Sequence, residues 1–290
     1  MFKKLSIAFV ALCSIHSFAQ DEKNWGADIS LSTQHQEFEI VSADMETLDF
    51  SPWVMWGDWT ISASVPWLKI DGDYFVNGGL PRVVSFCQRL DGLSPQILQR
   101  LVTRGRITQT QIDRCDNLND AIAEREQSQS GLGDMSIDLE YRHYWDTANT
   151  WWTAVSAAYK HDNGDVQSSI GSGSRDTTLG LALGYEGVKW FSHLDYTHTS
   201  VSPTDTPFIV DDYASLGFGF GYNLLDNLTW GLDYQQEEAY LQSGEDIDLL
   251  SSYLHWGMTD SWSMTLVVSD YDSAAEYPQS EYSAQITYSF

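Results

Sequence analysis

His161-Asp162-Asn163-Gly164 and Asp211-Asp212 are the two places in this sequence where catalytic chemistry would have to sit. A histidine makes a serine nucleophilic by taking its proton, so the two must lie within hydrogen-bond reach. An aspartate fills the position between His161 and Asn163 where that serine would stand, and the nucleophile is missing. Paired acids beside a His-Asp pair offer a second chemistry, general acid–base hydrolysis. Asp211 and Asp212 are such a pair, with His193, Asp195 and His198 on a nearby segment. Adjacent acids in a loop are ordinarily just solvated charges. His193 and Asp195 stand two apart and share one face of a strand, as a hydrogen-bonded pair or a pH-responsive one. No zinc-ligand spacing, phosphate-cradling glycine loop or nucleotide fingerprint is present. No metal, cofactor or enzymatic activity is therefore expected.

The elements that carry these residues read with period two. In the last ten residues, Tyr282, Ala284, Ile286, Tyr288 and Phe290 alternate with Glu281, Ser283, Gln285, Thr287 and Ser289. Leu228, Trp230, Leu232 and Tyr234 alternate with Thr229, Gly231, Asp233 and Gln235, and Leu216, Phe218, Phe220 and Tyr222 with Ser215, Gly217, Gly219 and Gly221. Such alternation predicts half-buried strands. About twelve are expected, near 25–33, 47–56, 59–70, 132–145, 151–160, 177–185, 189–199, 213–222, 228–236, 247–256, 262–270 and 281–290. Every second link is short and those between are long. An even count of strands with alternating short turns and long loops predicts an all-β fold, a transmembrane antiparallel β-barrel. A β-sandwich would share the strand pattern but has no reason to alternate its loops. The terminal strand, with Phe290 and Tyr288 on one side, resembles the closing strand of bacterial outer-membrane proteins. That resemblance implies the barrel-assembly machinery as a partner and Phe290 and Tyr288 as its signal.

Composition agrees. Twelve Trp and fifteen Tyr accompany a mean hydropathy of only −0.29. Barrels combine the two because amphipathic rings girdle both membrane interfaces. Lys3 and Lys4, the apolar run Leu5–Ile15 and Ser17-Phe18-Ala19 have the layout of a secretory signal, so 1–19 is expected to be removed and 20–290 to form the barrel. The bacterial outer membrane is the expected location and its lipids expected partners.

One segment breaks the rhythm. Residues 71–131 form a large external insertion with helical features: Ser94-Pro95 as a start, Gly105 as a stop, and Thr108 with Gln111 as a capping box. Cys87 and Cys115 lie inside it, and in an oxidising compartment a disulfide between them is expected.

Charge sharpens the picture. The formal net charge is −26, which argues against nucleic acid as a partner. The predicted inward positions include Asp28, Asp49, Asp138, Glu140, Asp195 and Asp233, opposed by Arg142 and Lys160, with His193 among them. The insertion is richer in arginine, Arg100, Arg104 and Arg106 among them, so it is a candidate lid or plug over an acidic lumen.

Ser130-Gly131-Leu132-Gly133-Asp134, His161-Asp162-Asn163-Gly164-Asp165 and Gly171-Ser172-Gly173-Ser174-Arg175-Asp176 together resemble the outer-membrane barrel proteins grouped with the meta-pathway of phenol degradation. The resemblance covers roughly 130–186. It departs in lacking the proline before the Gly-Asp turn and in carrying the cysteine-bearing insertion. It implies passage of small compounds, aromatic ones included. The expected function is thus an outer-membrane channel or facilitator for small solutes, cation-tolerant, with an acidic lumen. The alternative is a non-conducting structural barrel acting through its external loops. A lipase or protease stands third.

Overall fold

The computed structural model describes residues 25–37, 42–72, 94–103, 107–109, 112, 128–164, 170–202, 211–238, 246–272 and 280–290. The expected segments 1–19, the Cys87–Cys115 pair, Arg104, Arg106 and most of the helical insertion lie outside these residues.

Among the described residues there are thirteen strand segments: β1 Trp25–Glu37, β2 Ser42–Trp56, β3 Trp59–Gly72, β4 Ser128–Leu132, β5 Ser136–Tyr144, β6 Trp151–Lys160 and β7 Asp176–Glu186. The rest are β8 Trp190–Val201, β9 Tyr213–Leu225, β10 Leu228–Glu237, β11 Ile247–Gly257, β12 Trp262–Asp272 and β13 Ser280–Ser289. Each pairs antiparallel with its neighbour, and β1 pairs with β13, so the sheet closes on itself. Segments β4 and β5 are one stave interrupted, which makes twelve staves. Closure leaves no unpaired edge, the condition for a sheet to sit in hydrocarbon.

The interruption has a covalent cause. Trp67 pairs with Leu132 but Ser64 pairs with Ser136, so residues 133–135 carry one more residue than β3 opposite them. Pro66 stands at that point without an N–H to donate, and its carbonyl accepts from the Gly133 N–H at 2.8 Å. A β-bulge results, with Asp134 in it.

Strand β2 runs five residues further than the sequence predicts, because Asp44 and Glu46 read as loop. Glu46 in fact faces Lys69 across the sheet, and Lys69 sits 3.7 Å from Glu46 and 2.5 Å from Asp71. Helix α1, Pro95–Thr103, begins where the Ser94-Pro95 cap predicts, with the Ser94 carbonyl accepting from Ile97 N and Leu98 N. In the turn at 145–150, Asp146 accepts from the Thr150 and Trp151 N–H groups, which holds its carboxyl below the usual range.

The outer wall is apolar. Ile29, Leu31, Leu48, Phe50, Leu179, Leu181, Leu183, Leu216 and Phe218 are all exposed, Leu181 to 60 %. Leaving one such side chain in water forgoes about 1.5–3 kcal/mol, so a continuous belt of them requires hydrocarbon around it. Trp56, Trp59, Trp145, Trp151, Trp190, Trp256 and Trp262 ring the end with the short turns, while Tyr159, Tyr196, Tyr234 and Tyr282 mark the other rim. These are the two interfacial girdles.

The seam is closed by aromatics. Phe290 N donates to Trp25 O at 3.0 Å and the two rings stack at 3.5 Å. Tyr288 packs on Phe290 and on Trp262. Phe290→Ala removes an aromatic pair, a loss of about 1 kcal/mol. Refolding from urea into detergent should then give a few-fold lower ratio of heat-modifiable to unfolded barrel. An unchanged ratio would show that the stack contributes nothing to closure.

Candidate functional site

Alternate residues of every stave line the inside, and the wall is made mainly of Ser, Thr, Gly, Ala and acids. All nine lumen candidates occupy inward positions: Asp28 on β1, Asp49 on β2, Asp138, Glu140 and Arg142 on β5, Lys160 on β6, His193 and Asp195 on β8, and Asp233 on β10. Their neighbours in the sequence, such as Ile29, Leu48, Phe50, Leu139, Tyr159, Leu194 and Leu232, face out and are exposed.

The inward glycines are seats for neighbouring side chains. A Cβ at Gly221 would overlap the Phe191 ring, at Gly231 the Tyr253 ring, at Gly184 the Trp152 ring and at Gly26 the Trp53 ring. Phe191, Gly221, Gly231 and Tyr253 are successive partners along one rung of the wall, and the two rings meet over the glycine pair. Gly217 and Gly219 seat Asp195 and His193 in the same way. These rings are buried on the inner side of the wall, toward the short-turn end.

The basic groups are each engaged. Arg142 bonds Glu140 through Nε at 3.1 Å and Nη2 at 3.0 Å, approaches Glu186 at 3.6 Å and lies 4.2 Å over the Trp152 ring. Lys160 sits 2.5 Å from Asp176 and donates to Ser172. His193 stands between Asp195 at 3.6 Å and Asp233 at 3.7 Å. Asp176, Glu186, Glu237 and Glu281 are inward acids that the sequence reading did not single out. Glu281 accepts from Gln34 and Tyr271 near the long-loop rim.

The three stretches behind the family resemblance meet in space. The Asp134 carboxylate, presented by the bulge, accepts from Asn163 N at 3.2 Å, Gly164 N at 2.8 Å, Ser172 N at 2.7 Å and Ser172 Oγ at 2.6 Å. Asn163 returns two bonds, accepting from Met135 N and donating to Gly133 O. Gly164 and Gly171 touch backbone to backbone, where no Cβ would fit. This arrangement turns the chain inward at 170–174. Ile170 is buried against Met45, Leu68 and Ile70, three inward side chains of the long-loop half.

The same contacts account for the residues considered for catalysis. Asn163 and Gly164 are occupied in holding this loop. Asp212 accepts from Val201 N at 2.8 Å and ties down the end of β8, while His198 is exposed on the outer face. Among the described residues no three His, Cys, Asp or Glu are placed to hold a metal ion. Arg100 is exposed on α1.

No family model matches this chain, and no curated protein matches it. Solved structures do. The COG4313 outer membrane channel from Pseudomonas putida F1 superposes with a TM-score of 0.64 at 9 % identity, covering 95 % of this chain and 98 % of that one. The translocator domain of the autotransporter NalP from Neisseria meningitidis gives 0.53 at 9 % identity, covering 99 % and 95 %. At such identities the likeness is one of fold: the closed outer-membrane β-barrel. With its apolar outer belt and aromatic girdles, the chain resides in the bacterial outer membrane.

Proposed function

We propose that this protein is a channel or facilitator for small solutes with an acidic, cation-favouring lumen. The observation that carries the reading is the charge of the inner wall. Inward acids on seven staves face only two inward Lys or Arg among the described residues, Arg142 and Lys160. A low-dielectric bore lined by one sign of charge concentrates counter-ions and excludes co-ions. The COG4313 channel supplies a precedent for conduction on this fold.

Planar-bilayer recording tests it. Under a KCl gradient the reconstituted protein should carry a steady current whose reversal potential has the cation-selective sign. Anion selectivity, or silence at every voltage, would overturn the proposal.

Silence would favour a second reading, a non-conducting barrel acting through its external loops. It draws on the burial of Ile170 inside the long-loop half and of Trp53, Trp152, Phe191 and Tyr253 inside the other. We also assign the insertion 71–131, with Arg100, Arg104 and Arg106, to the control of access at the mouth, and Phe290 with Tyr288 to recognition by the barrel-assembly machinery.

A further inference from the structure

Positive charge is scarce on this barrel, and most of it is engaged. Lys69 is held by Glu46 and Asp71, Lys160 by Asp176, and Arg142 by Glu140 and Glu186. Arg100 lies on α1, and Lys189 lies in a short turn before β8. On the outer wall of the long-loop half, Arg175 is the one Lys or Arg among the described residues that no carboxylate holds.

The fold fixes where Arg175 points. Ser174 and Asp176, on either side of it, are buried and bonded to each other on the inner face, so Arg175 faces out and is exposed. Its N–H donates to Ser202 Oγ at 2.8 Å and its carbonyl accepts from Ser202 N at 3.0 Å. On the other side Lys160 pairs with Asp176, which brings His161 opposite Arg175. Residues so placed on neighbouring strands stand about 5 Å apart. The His161 ring is exposed and meets the Tyr159 ring edge-on at 6.3 Å, so it too lies on the outer face. Thr177 and Ser200 continue the outward rung from Tyr159. Nearby acids are engaged or partly buried. Asp212 accepts from Val201 N and Ser200 Oγ, and Asp162, beside His161 in sequence, is half-buried.

A second observation is the contrast around the rim. Asp44, Glu46, Asp71, Asp248, Asp270 and Asp272 stand outward at the same end of β2, β3, β11 and β12. An anion approaching the wall from the membrane is repelled there and meets a cation only on β6 and β7. Depth selects the anion. Tyr159 belongs to the girdle of the long-loop rim, and Arg175 and His161 lie one rung beyond it, about 7 Å further along the strands, at the level of lipid headgroups. Long loops of such barrels face the cell exterior, where the leaflet is lipopolysaccharide and its lipid A carries phosphates at that depth. A guanidinium grips a phosphate with two parallel N–H donors, and an imidazole adds a third.

We propose that Arg175 and His161, on the outer face of β6 and β7, form a docking site for a lipid A phosphate of the surrounding lipopolysaccharide. The site lies on the lipid side of the wall and does not depend on whether the bore conducts.

Native mass spectrometry of the full chain in detergent micelles tests it, with bisphosphorylated lipid A and its dephosphorylated form as probes and a chelator present to remove divalent cations. Bisphosphorylated lipid A should bind saturably, and the dephosphorylated form about tenfold more weakly. Arg175→Gln should weaken binding of the phosphorylated form about tenfold, and His161→Leu about threefold. Arg175→Lys, which keeps the charge but not the fork, should fall between wild type and Arg175→Gln. Both side chains are exposed, so these variants should keep the heat-modifiable barrel. Lys189→Gln, at the opposite rim, should bind like wild type. Wild-type affinity in Arg175→Gln overturns the proposal, as does equal binding of dephosphorylated lipid A. Equal weakening in Lys189→Gln would reduce the effect to overall charge, and displacement by equimolar inorganic phosphate would make the site one for free anions. Either result overturns the lipid assignment.

Discussion

Replacing Asp134 with alanine is expected to release the segments 161–164 and 170–174 that it joins while leaving the barrel folded. The Asp134 carboxylate is 6 % exposed and accepts from three backbone N–H groups and one hydroxyl. A hydrogen bond to a charged group contributes about 1.5–3 kcal/mol, and the four act on one loop, so their losses do not add. A net loss near 3 kcal/mol is the reasonable scale, or more than a hundredfold in the loop's opening equilibrium. The free energy is local because the bulge interrupts the β3 ladder beside Asp134 and the strands keep their own bonds. Hydrogen exchange should therefore quicken by about two orders of magnitude at Gly164 and Ser172. Amides of β9 to β12, on the far side of the ring, should keep wild-type protection. Asp134→Asn retains an acceptor but loses the charge, and should fall between. Under the channel reading, the same alanine variant conducts more, since Ile170 loses its hold over Met45, Leu68 and Ile70. Wild-type exchange at Gly164 and Ser172 would show that the loop is held by something other than this carboxylate.

Asp134 also marks where the sequence stops being readable. Which side of the wall a residue faces is a local property, set by alternation with period two. Alternation alone places Asp28, Asp138, Asp195 and Asp233 on the inner face without reference to any neighbour, and their side chains do face inward. Strand bounds were legible for the same reason wherever the outward residues are apolar. They differ at 42–46, where the outward residues Asp44 and Glu46 are charged and Glu46 is placed opposite Lys69 across the sheet. Which side chains meet is a non-local property. Nothing near Asp134 in sequence announces that its acceptors serve Gly164 and Ser172, some thirty to forty residues on. The glycine-rich stretch Gly217–Gly221 reads as a small-residue face, and only the pairing with β8 and β10 shows that each glycine is a seat for a neighbour's ring or carboxylate. Glu186 ends a strand where a turn begins, so alternation does not assign it a side, yet it completes the site of Arg142.

That site carries the second large effect. Arg142→Met should destabilise the barrel by about 3 kcal/mol, at the lower edge of what breaking a buried ion pair costs, because a bore that admits water can partly solvate what is left. The Arg142 side chain is 14 % exposed, grips Glu140 with two nitrogens, approaches Glu186 and covers the Trp152 ring. Methionine keeps the packing over Trp152 but leaves two carboxylates without their cation. The loss should appear as a lower urea midpoint for the heat-modifiable form in detergent, with an unchanged slope. Since most of the penalty belongs to the stranded acids, the triple variant Arg142→Met/Glu140→Gln/Glu186→Gln should recover more than half of it. Tyr144, which donates to Glu186 at 3.2 Å, can equally donate to a glutamine carbonyl and gives no reason for the rescue to fail. If the triple variant were as unstable as the single one, the stabilisation would have to come from the guanidinium's packing and cation–π contact with Trp152. Methionine at 142 should then be no better than alanine.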